Sequence, residues 1–190
     1  MKRRVIIVTD GDRIAQKAVE KATLNIGGRC ISASAGNPTL LSGKQIIGLI
    51  KRAKYDPIVV MVDDKGDNGM GFGEKAMEEI LVCEDIEVIG IIAVASNTPK
   101  ARGIQVDYSI DKLGKLVDKA VDKYGNIKGN RILKGDTVNT LSFKKVNFII
   151  GIGDPGKMDG SDNSEIGAPI ITKAMEIIIS NYNKSLIAFM

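Results

Sequence analysis

The chain has 190 residues, of which 44% are hydrophobic and 26% are charged, a balance typical of one soluble globular domain over residues 1–190 and not of a disordered or collagen-like protein. It contains no histidine, which excludes histidine triads, histidine general bases and histidine-ligated zinc or haem. The formal net charge is +4, and aromatic residues that would stack on bases are not interleaved with the basic ones, so there is no strong signal of nucleic-acid binding.

Short runs of Ile and Val recur along the chain. They are continuously apolar and do not alternate with polar residues, which is typical of strands buried on both faces. The runs are Val5–Thr9, Ile58–Val62, Val88–Ala95 and Val146–Ile152, with a weaker candidate at Arg29–Ala35.

Apolar residues at helical spacing occupy the segments between these runs. The stripes begin at Ile14, Ile46, Ala76 and Pro169, and Ser42 has a glutamine three residues later, as in a capping box. Strands that alternate with helices predict a mostly parallel sheet covered on both faces. The expected fold is therefore α/β, a three-layer αβα arrangement of the Rossmann-like kind.

Residues 103–135 break this rhythm. Alternating apolar residues from Ile104 to Ile110 favour an edge strand, whereas the spacing from Leu113 to Val121 is helical, so a hairpin and a short helix both remain open. Glycines and asparagines make the rest of the segment rich in turns. We expect an insertion at the edge of the sheet, and no internal repeat is visible.

The cysteines and the N-terminus bear on the cellular compartment. Cys30 and Cys83 lie far apart without a paired spacing, which fits a reducing cytoplasm. The apolar run Val5–Val8 is too short for the core of a signal peptide, and no stretch approaches the roughly 20 apolar residues of a membrane span. We expect a cytoplasmic protein without a signal peptide or a transmembrane segment.

Acidic residues follow the predicted strands. In open α/β sheets, ligands bind beyond the carboxyl ends of the strands, and clustered carboxylates favour a hard cation such as Mg²⁺ or Ca²⁺. The alternative is that these residues cap helices and shape turns. The candidate divalent-metal ligands are Asp10, Asp12, Asp63, Asp64 and Asp67.

Other motifs in the chain do not indicate a site. The segment Gly151–Lys157 obeys G-x-x-x-x-G-K, but Met158 stands where a nucleotide-binding loop has the hydroxyl that holds magnesium. The glycine-rich loop Lys65–Glu74 lacks the ligand spacing of an EF-hand. The cysteines have no histidine partner, so no catalytic residue is predicted.

A series of short motifs runs in order from the first strand to the last helix. They are Val5–Asp12, Gly27–Ser32, Ser34–Thr39, Asp63–Asp64, Asp85–Gly90, Ile92–Ser96, Gly135–Val138 and Gly151–Asp154. Together they resemble the stage V sporulation protein AE family, the soluble member of the SpoVA group of spore-forming bacteria.

The resemblance implies a cellular context more than a chemistry. SpoVA proteins are associated with moving calcium-dipicolinate into the developing spore and out of it at germination, and most of them are membrane proteins. A soluble member is then expected in the forespore, as a peripheral component of the inner spore membrane that handles calcium-dipicolinate. Its implied partners are membrane-bound SpoVA-group proteins. The resemblance implies no catalytic residue and no certain cofactor.

The basic residues suggest how such a component docks. Residues 100–150 hold eleven Lys and Arg against five Asp and Glu, and clustered basic residues are attracted to anionic lipid. A non-catalytic docking or binding protein is the favoured hypothesis.

A more distant likeness is to Toprim domains, in which acidic residues end two strands. Asp10 and Asp12 would take the first position, and Asp63 with Asp64 or Asp67 the second. This likeness implies the alternative function, a divalent-metal-dependent enzyme of phosphoryl transfer or of nucleic acid.

Overall fold

The structure is a computed structural model that describes residues 2–66, 71–97, 103–135, 137–138, 146 and 148–188. The helices are α1 (Arg13–Asn25), α2 (Gly43–Arg52), α3 (Phe72–Leu81) and α4 (Pro169–Ala188). The strands are β1 (Arg3–Val8), β2 (Arg29–Cys30), β3 (Ile58–Met61), β4 (Ile86–Val94), β5 (Ile104–Gln105), β6 (Tyr108–Ile110), β7 (Leu116–Val117), β8 (Ile132–Leu133) and β9 (Ile149–Ile152).

Seven of the strands form one sheet in the order β2-β3-β1-β4-β9-β6-β7. All neighbours in it are parallel except β6 and β7, which pair antiparallel at one edge. The predicted α/β class with a mostly parallel sheet is confirmed. β5 and β8 form a separate antiparallel pair.

Helices cover both faces of the sheet. Along β1, Val5 and Ile7 face the apolar layer that holds α2 and α3, whereas Ile6 and Val8 face the layer of α1 and α4. Since successive side chains of a strand point to opposite faces, a strand between two layers must be apolar at every position. All four residues are fully buried, which explains the continuous apolar runs in the sequence.

Side-chain oxygens satisfy the first backbone N–H groups of every helix. The capping box at Ser42 is present at the start of α2. The other three helices use carboxylates, which also interact favourably with the positive end of the helix dipole. Asp12 accepts from the start of α1, Asp64 from the start of α3 and Asp162 from the start of α4.

The segment 103–135 lies at the edge of the sheet, as predicted, and forms a hairpin of β6 and β7. The helical spacing after Leu113 is misleading, because Gly114 and Gly125 adopt positive φ angles of 75° and 78° and close two tight turns. The turns 111–115 and 122–126 have the same hydrogen bonds. Within the described part of the chain, no helix has the length and apolarity to cross a bilayer.

We predict that the buried carboxylate of Asp162 holds the start of α4. It is fully buried and accepts from the N–H groups of Ile170 (2.8 Å), Ile171 (3.1 Å) and Gly156 (3.3 Å). Asp162→Ala leaves these donors unpaired and should lower the free energy of unfolding by about 2–4 kcal/mol, as measured by urea denaturation.

The control for this prediction is Asp118→Ala, because the Asp118 side chain is 67% exposed and makes only a 3.8 Å ion pair with Arg131. It should change the unfolding free energy by less than about 0.5 kcal/mol. Equal effects of the two substitutions would contradict a capping role for Asp162.

Candidate functional site

A polar cleft of about 210 Å³ lies beyond the carboxyl ends of β1, β3, β4 and β9. The chain passes from β3 on one side of β1 to β4 on the other, so the cleft lies where open α/β sheets bind ligands. Four carboxylates, two lysines and several neutral polar groups line it. They are Asp10, Asp12, Asp63, Asp154, Lys123, Lys157, Thr9, Asn37, Ser96 and Asn97.

Three of the carboxylates converge. Asp10, Asp12 and Asp154 each place one oxygen within 4.8 Å of the others. Asp10 directly follows β1, Asp12 begins α1, and Asp154 follows β9. The N–H of Asp12 donates to Oδ1 of Asp10 (3.1 Å), which fixes the turn between them. Three oxygens at this spacing are able to share one hard divalent cation.

Lys157 lies among these carboxylates. Its Nζ is 2.7 Å from Oδ2 of Asp12 and 3.0 Å from both carboxylate oxygens of Asp154. Partial burial opposes the charged amine, but the hydrogen bonds and charges of Asp12 and Asp154 outweigh it and raise the pKa of Lys157. The lysine of the G-x-x-x-x-G-K segment therefore pairs with carboxylates of the protein itself.

Asp10 has a raised pKa. Burial is the largest cause, and the charges of Asp12, Asp154 and Asp63 add to it, so the pKa of Asp10 is well above its usual value despite the hydrogen bond from Asp12. The same surroundings lower the pKa of Asp12, because Lys157 and the N–H groups at the start of α1 outweigh the cost of its burial. A cation bound by Asp10 would stabilise the charged form of this carboxylate. Because the three carboxylates offer only oxygen ligands, they fit Ca²⁺ or Mg²⁺.

Asp63 stabilises the walls of the cleft. Its Oδ2 accepts from the N–H of Gly11 (3.2 Å) and its Oδ1 from the N–H of Lys65 (2.8 Å). A Cβ atom at Gly11 would lie 2.5 Å from the carbonyl oxygen of Gly36, so only glycine allows the β1–α1 turn to pack against the loop that carries Asn37. Asp63 thus links the ends of β1 and β3.

The structure places the predicted ligands differently. Asp10, Asp12 and Asp63 come together in the cleft. Asp64 is buried, with its Oδ1 at the start of α3, 2.7 Å from the N–H of Gly73, and Asp67 lies outside the described residues. The prediction missed Asp154, although Gly153–Asp154 has the same pattern of an acid after a strand. The metal site remains a prediction.

Comparison with known proteins identifies the family. Residues 4–182 match the family model described as stage V sporulation protein AE1, so the chain belongs to that family and has a sporulation-related function. Comparison with curated proteins and with solved structures gave no match.

We predict that Asp10 makes the stability of the cation-free protein depend on pH. Its pKa is raised above the ordinary 3.8, so the folded chain keeps a proton that the unfolded chain has released. The retained proton stabilises the folded chain relative to the unfolded one. This stabilisation is complete below about pH 4 and is lost as the pH rises through the pKa that Asp10 has in the folded chain. Urea denaturation between pH 4 and 7 without divalent ions should therefore show a decline that Asp10→Asn lacks.

At pH 7 and without divalent ions, Asp10→Asn should also be more stable than the wild type. Its amide oxygen keeps the acceptor for the N–H of Asp12 without a charge beside Asp63 and Asp154. Parallel stability curves for the two proteins would refute the raised pKa of Asp10.

Proposed function

We propose that this sporulation protein is a non-catalytic component of the SpoVA system that binds calcium-dipicolinate at the inner spore membrane. The observation that supports it best is the convergence of Asp10, Asp12 and Asp154 within 4.8 Å, with Lys123 and Lys157 lining the same cleft. Membership of the stage V sporulation protein AE1 family supplies the sporulation context.

The cleft has the chemistry for a cation together with an anionic chelator. Ca²⁺ takes six to eight oxygen ligands at about 2.3–2.6 Å, and three carboxylates alone leave the shell incomplete. Dipicolinate is a dicarboxylate that can supply further oxygens to the ion. Lys123 would pair with its charge, while Lys157 continues to hold Asp12 and Asp154. Asn37 and Asn97 offer neutral hydrogen-bonding groups.

The reactive groups of the chain support binding more than turnover. There is no histidine to act as a general base. Burial is the largest cause that raises the pKa of the Cys30 thiol to about 12, so it is not an activated nucleophile. The bound cation would supply charge and ligand geometry, and the protein side chains would select the ligand.

The partners in this proposal are membrane-bound SpoVA-group proteins and anionic lipid. The described segment 103–135 carries seven Lys and Arg against four Asp, at the edge of the sheet next to the cleft. A peripheral protein with its ligand site near its basic edge is suited to exchange a small anion complex with a membrane channel.

A second candidate is Mg²⁺-dependent phosphoryl transfer, as in Toprim-like enzymes. The observation that favours it is that Lys123 and Lys157 share a cleft with the carboxylates, so a metal-bound phosphate would meet both charges. Hydrolysis of p-nitrophenyl phosphate with Mg²⁺, lost in Asp10→Asn, would favour this enzyme. Saturable binding of calcium-dipicolinate without such turnover would favour the binding protein.

We predict that calcium-dipicolinate stabilises the protein against thermal unfolding. At about 100 times its Kd, a ligand adds roughly 2.7 kcal/mol, which for a chain of this size raises the Tm by on the order of 5–10 °C. Asp154→Asn should abolish the shift, because it removes a charged ligand and one partner of Lys157. Differential scanning calorimetry measures both.

The matched control is Asp118→Asn, an exposed carboxylate that does not line the cleft, and it should keep the full shift. Separate titrations with Ca²⁺ and with dipicolinate distinguish an ion site from a site for the complex. An unchanged Tm with all three additions would refute the binding function.

A further inference from the structure

Two turns near the cleft are copies of one another. In Asp111–Lys115, Oδ1 of Asp111 accepts from the N–H groups of Leu113 (2.9 Å) and Lys115 (2.8 Å). In the second turn, Asp122–Asn126, Oδ1 of Asp122 accepts from the N–H groups two and four residues later, both at 2.9 Å. Both turns have the sequence Asp-Lys-apolar-Gly, and in both the glycine donates to the carbonyl of the aspartate. We refer to them as the twin turns.

The twin turns are hydrogen-bonded to each other and to the main fold. The N–H of Lys112 in the first donates to the carbonyl oxygen of Gly125 in the second (3.0 Å). Lys173 of α4 donates to the carbonyl oxygen of Gly114, which ties the first turn to a main helix of the fold. Asp111 is buried, so its carboxylate serves the turn and not the solvent.

Each of the twin turns displays an apolar side chain. Leu113 is 85% exposed and Tyr124 is 47% exposed, although both stand in ordered, hydrogen-bonded turns. Neither side chain contributes to the two apolar layers of the core. Ordered turns with apolar side chains exposed at both tips are typical of a surface that meets another apolar phase.

Lysines flank these two side chains in the sequence. Lys112, Lys115 and Lys123 belong to the turns themselves, and Nζ of Lys123 lies 4.8 Å from the centre of the Tyr124 ring. The carboxylates of Asp111 and Asp122 are occupied by backbone N–H groups. The turns hold three lysines against two aspartates, and Nζ of Lys112 also lies 3.9 Å from Asp159, so their surface is basic by one charge. Apolar groups in such a surface are complementary to an anionic bilayer: lysines contact headgroups while leucine and tyrosine enter the interface.

We propose that the twin turns are the surface by which the protein docks on an anionic lipid bilayer, with Leu113 and Tyr124 inserted among the headgroups. The inference rests on the proposed membrane-peripheral function and specifies its contact. Tyrosine is well suited to this position, because its ring is apolar and its hydroxyl stays in the polar headgroup layer.

This placement brings the ligand cleft to the membrane. Lys123 of the second turn lines the cleft, and its carbonyl oxygen accepts from the N–H of Asp154 (2.8 Å). The backbone of the second turn also packs on the loop after β9, because a Cβ at Gly153 would lie 2.8 Å from the nitrogen of Gly125. A bilayer against the twin turns would therefore lie beside the opening of the carboxylate site.

The test is flotation of the full chain with vesicles. Vesicles of phosphatidylcholine with about one third phosphatidylglycerol should bind the wild type, and vesicles of phosphatidylcholine alone should bind it weakly. Leu113→Ser and Tyr124→Ser should each weaken the partition coefficient about tenfold. The double substitution Lys112→Gln with Lys115→Gln should weaken it roughly 25-fold at low salt, since each lysine contributes about a factor of five.

Matched controls use residues away from the twin turns. Val82→Ser removes a side chain that is 61% exposed at the end of α3, and Lys17→Gln with Lys21→Gln removes two exposed charges from α1. The controls should partition like the wild type. All variants should keep the wild-type circular dichroism spectrum and the thermal shift with calcium-dipicolinate, which separates loss of docking from unfolding and from failure of the ligand site.

Three results would overturn the proposal. One is equal binding to neutral and anionic vesicles, and another is a loss in the control variants as large as in the twin-turn variants. The third is binding only to vesicles that retain native membrane proteins and none to vesicles of lipid alone, which would assign the surface to a protein partner. A persistent thermal shift alongside any of these would leave the proposed ligand function intact.

Discussion

Negative charge at the carboxyl edge of the sheet is the constraint on which the rest of the structure depends. Asp10, Asp12, Asp63 and Asp154 line one cleft, and burial, together with repulsion from the other three, raises the pKa of Asp10. Lys157 balances part of this charge by pairing with Asp12 and Asp154. A divalent cation would balance the remaining negative charge. The raised pKa of Asp10 in the cation-free cleft and the affinity of the cleft for a cation therefore have the same physical origin.

The same carboxylates also hold the fold together. Asp12 lines the cleft and caps α1. Asp63 joins the ends of β1 and β3, whereas its neighbour Asp64 holds the start of α3. Because Asp12 serves both the cleft and the start of α1, a cation that binds only the folded chain would stabilise the fold as a whole. This coupling accounts for our expectation that a bound ligand is detectable as global stability.

The sequence predicted the architecture more completely than it predicted the residues of the site. Continuous apolar runs are forced by helices on both faces, so they predicted the central strands and the parallel sheet. Asp63 and Asp64 are adjacent in an extended segment, where successive side chains point in opposite directions, and sequence alone could not decide which faces the cleft. Asp154 was missed because the position of β9 beside β4 depends on strand order. The twin turns were missed because the apolar residues from Leu113 to Val121 have helical spacing, which the positive φ of Gly114 overrides.

The most direct test of the account is calorimetric titration of the protein with Ca²⁺ at several pH values between about 4 and 7, each in two buffers of different ionisation enthalpy. The account predicts one saturable site and the release of a proton, because the cation ionises Asp10, whose pKa lies well above its usual value. It also predicts that Asp10→Asn releases none. Saturable binding by the wild type without proton release, or the same release from Asp10→Asn, would place the ion elsewhere and contradict the central role of this cleft.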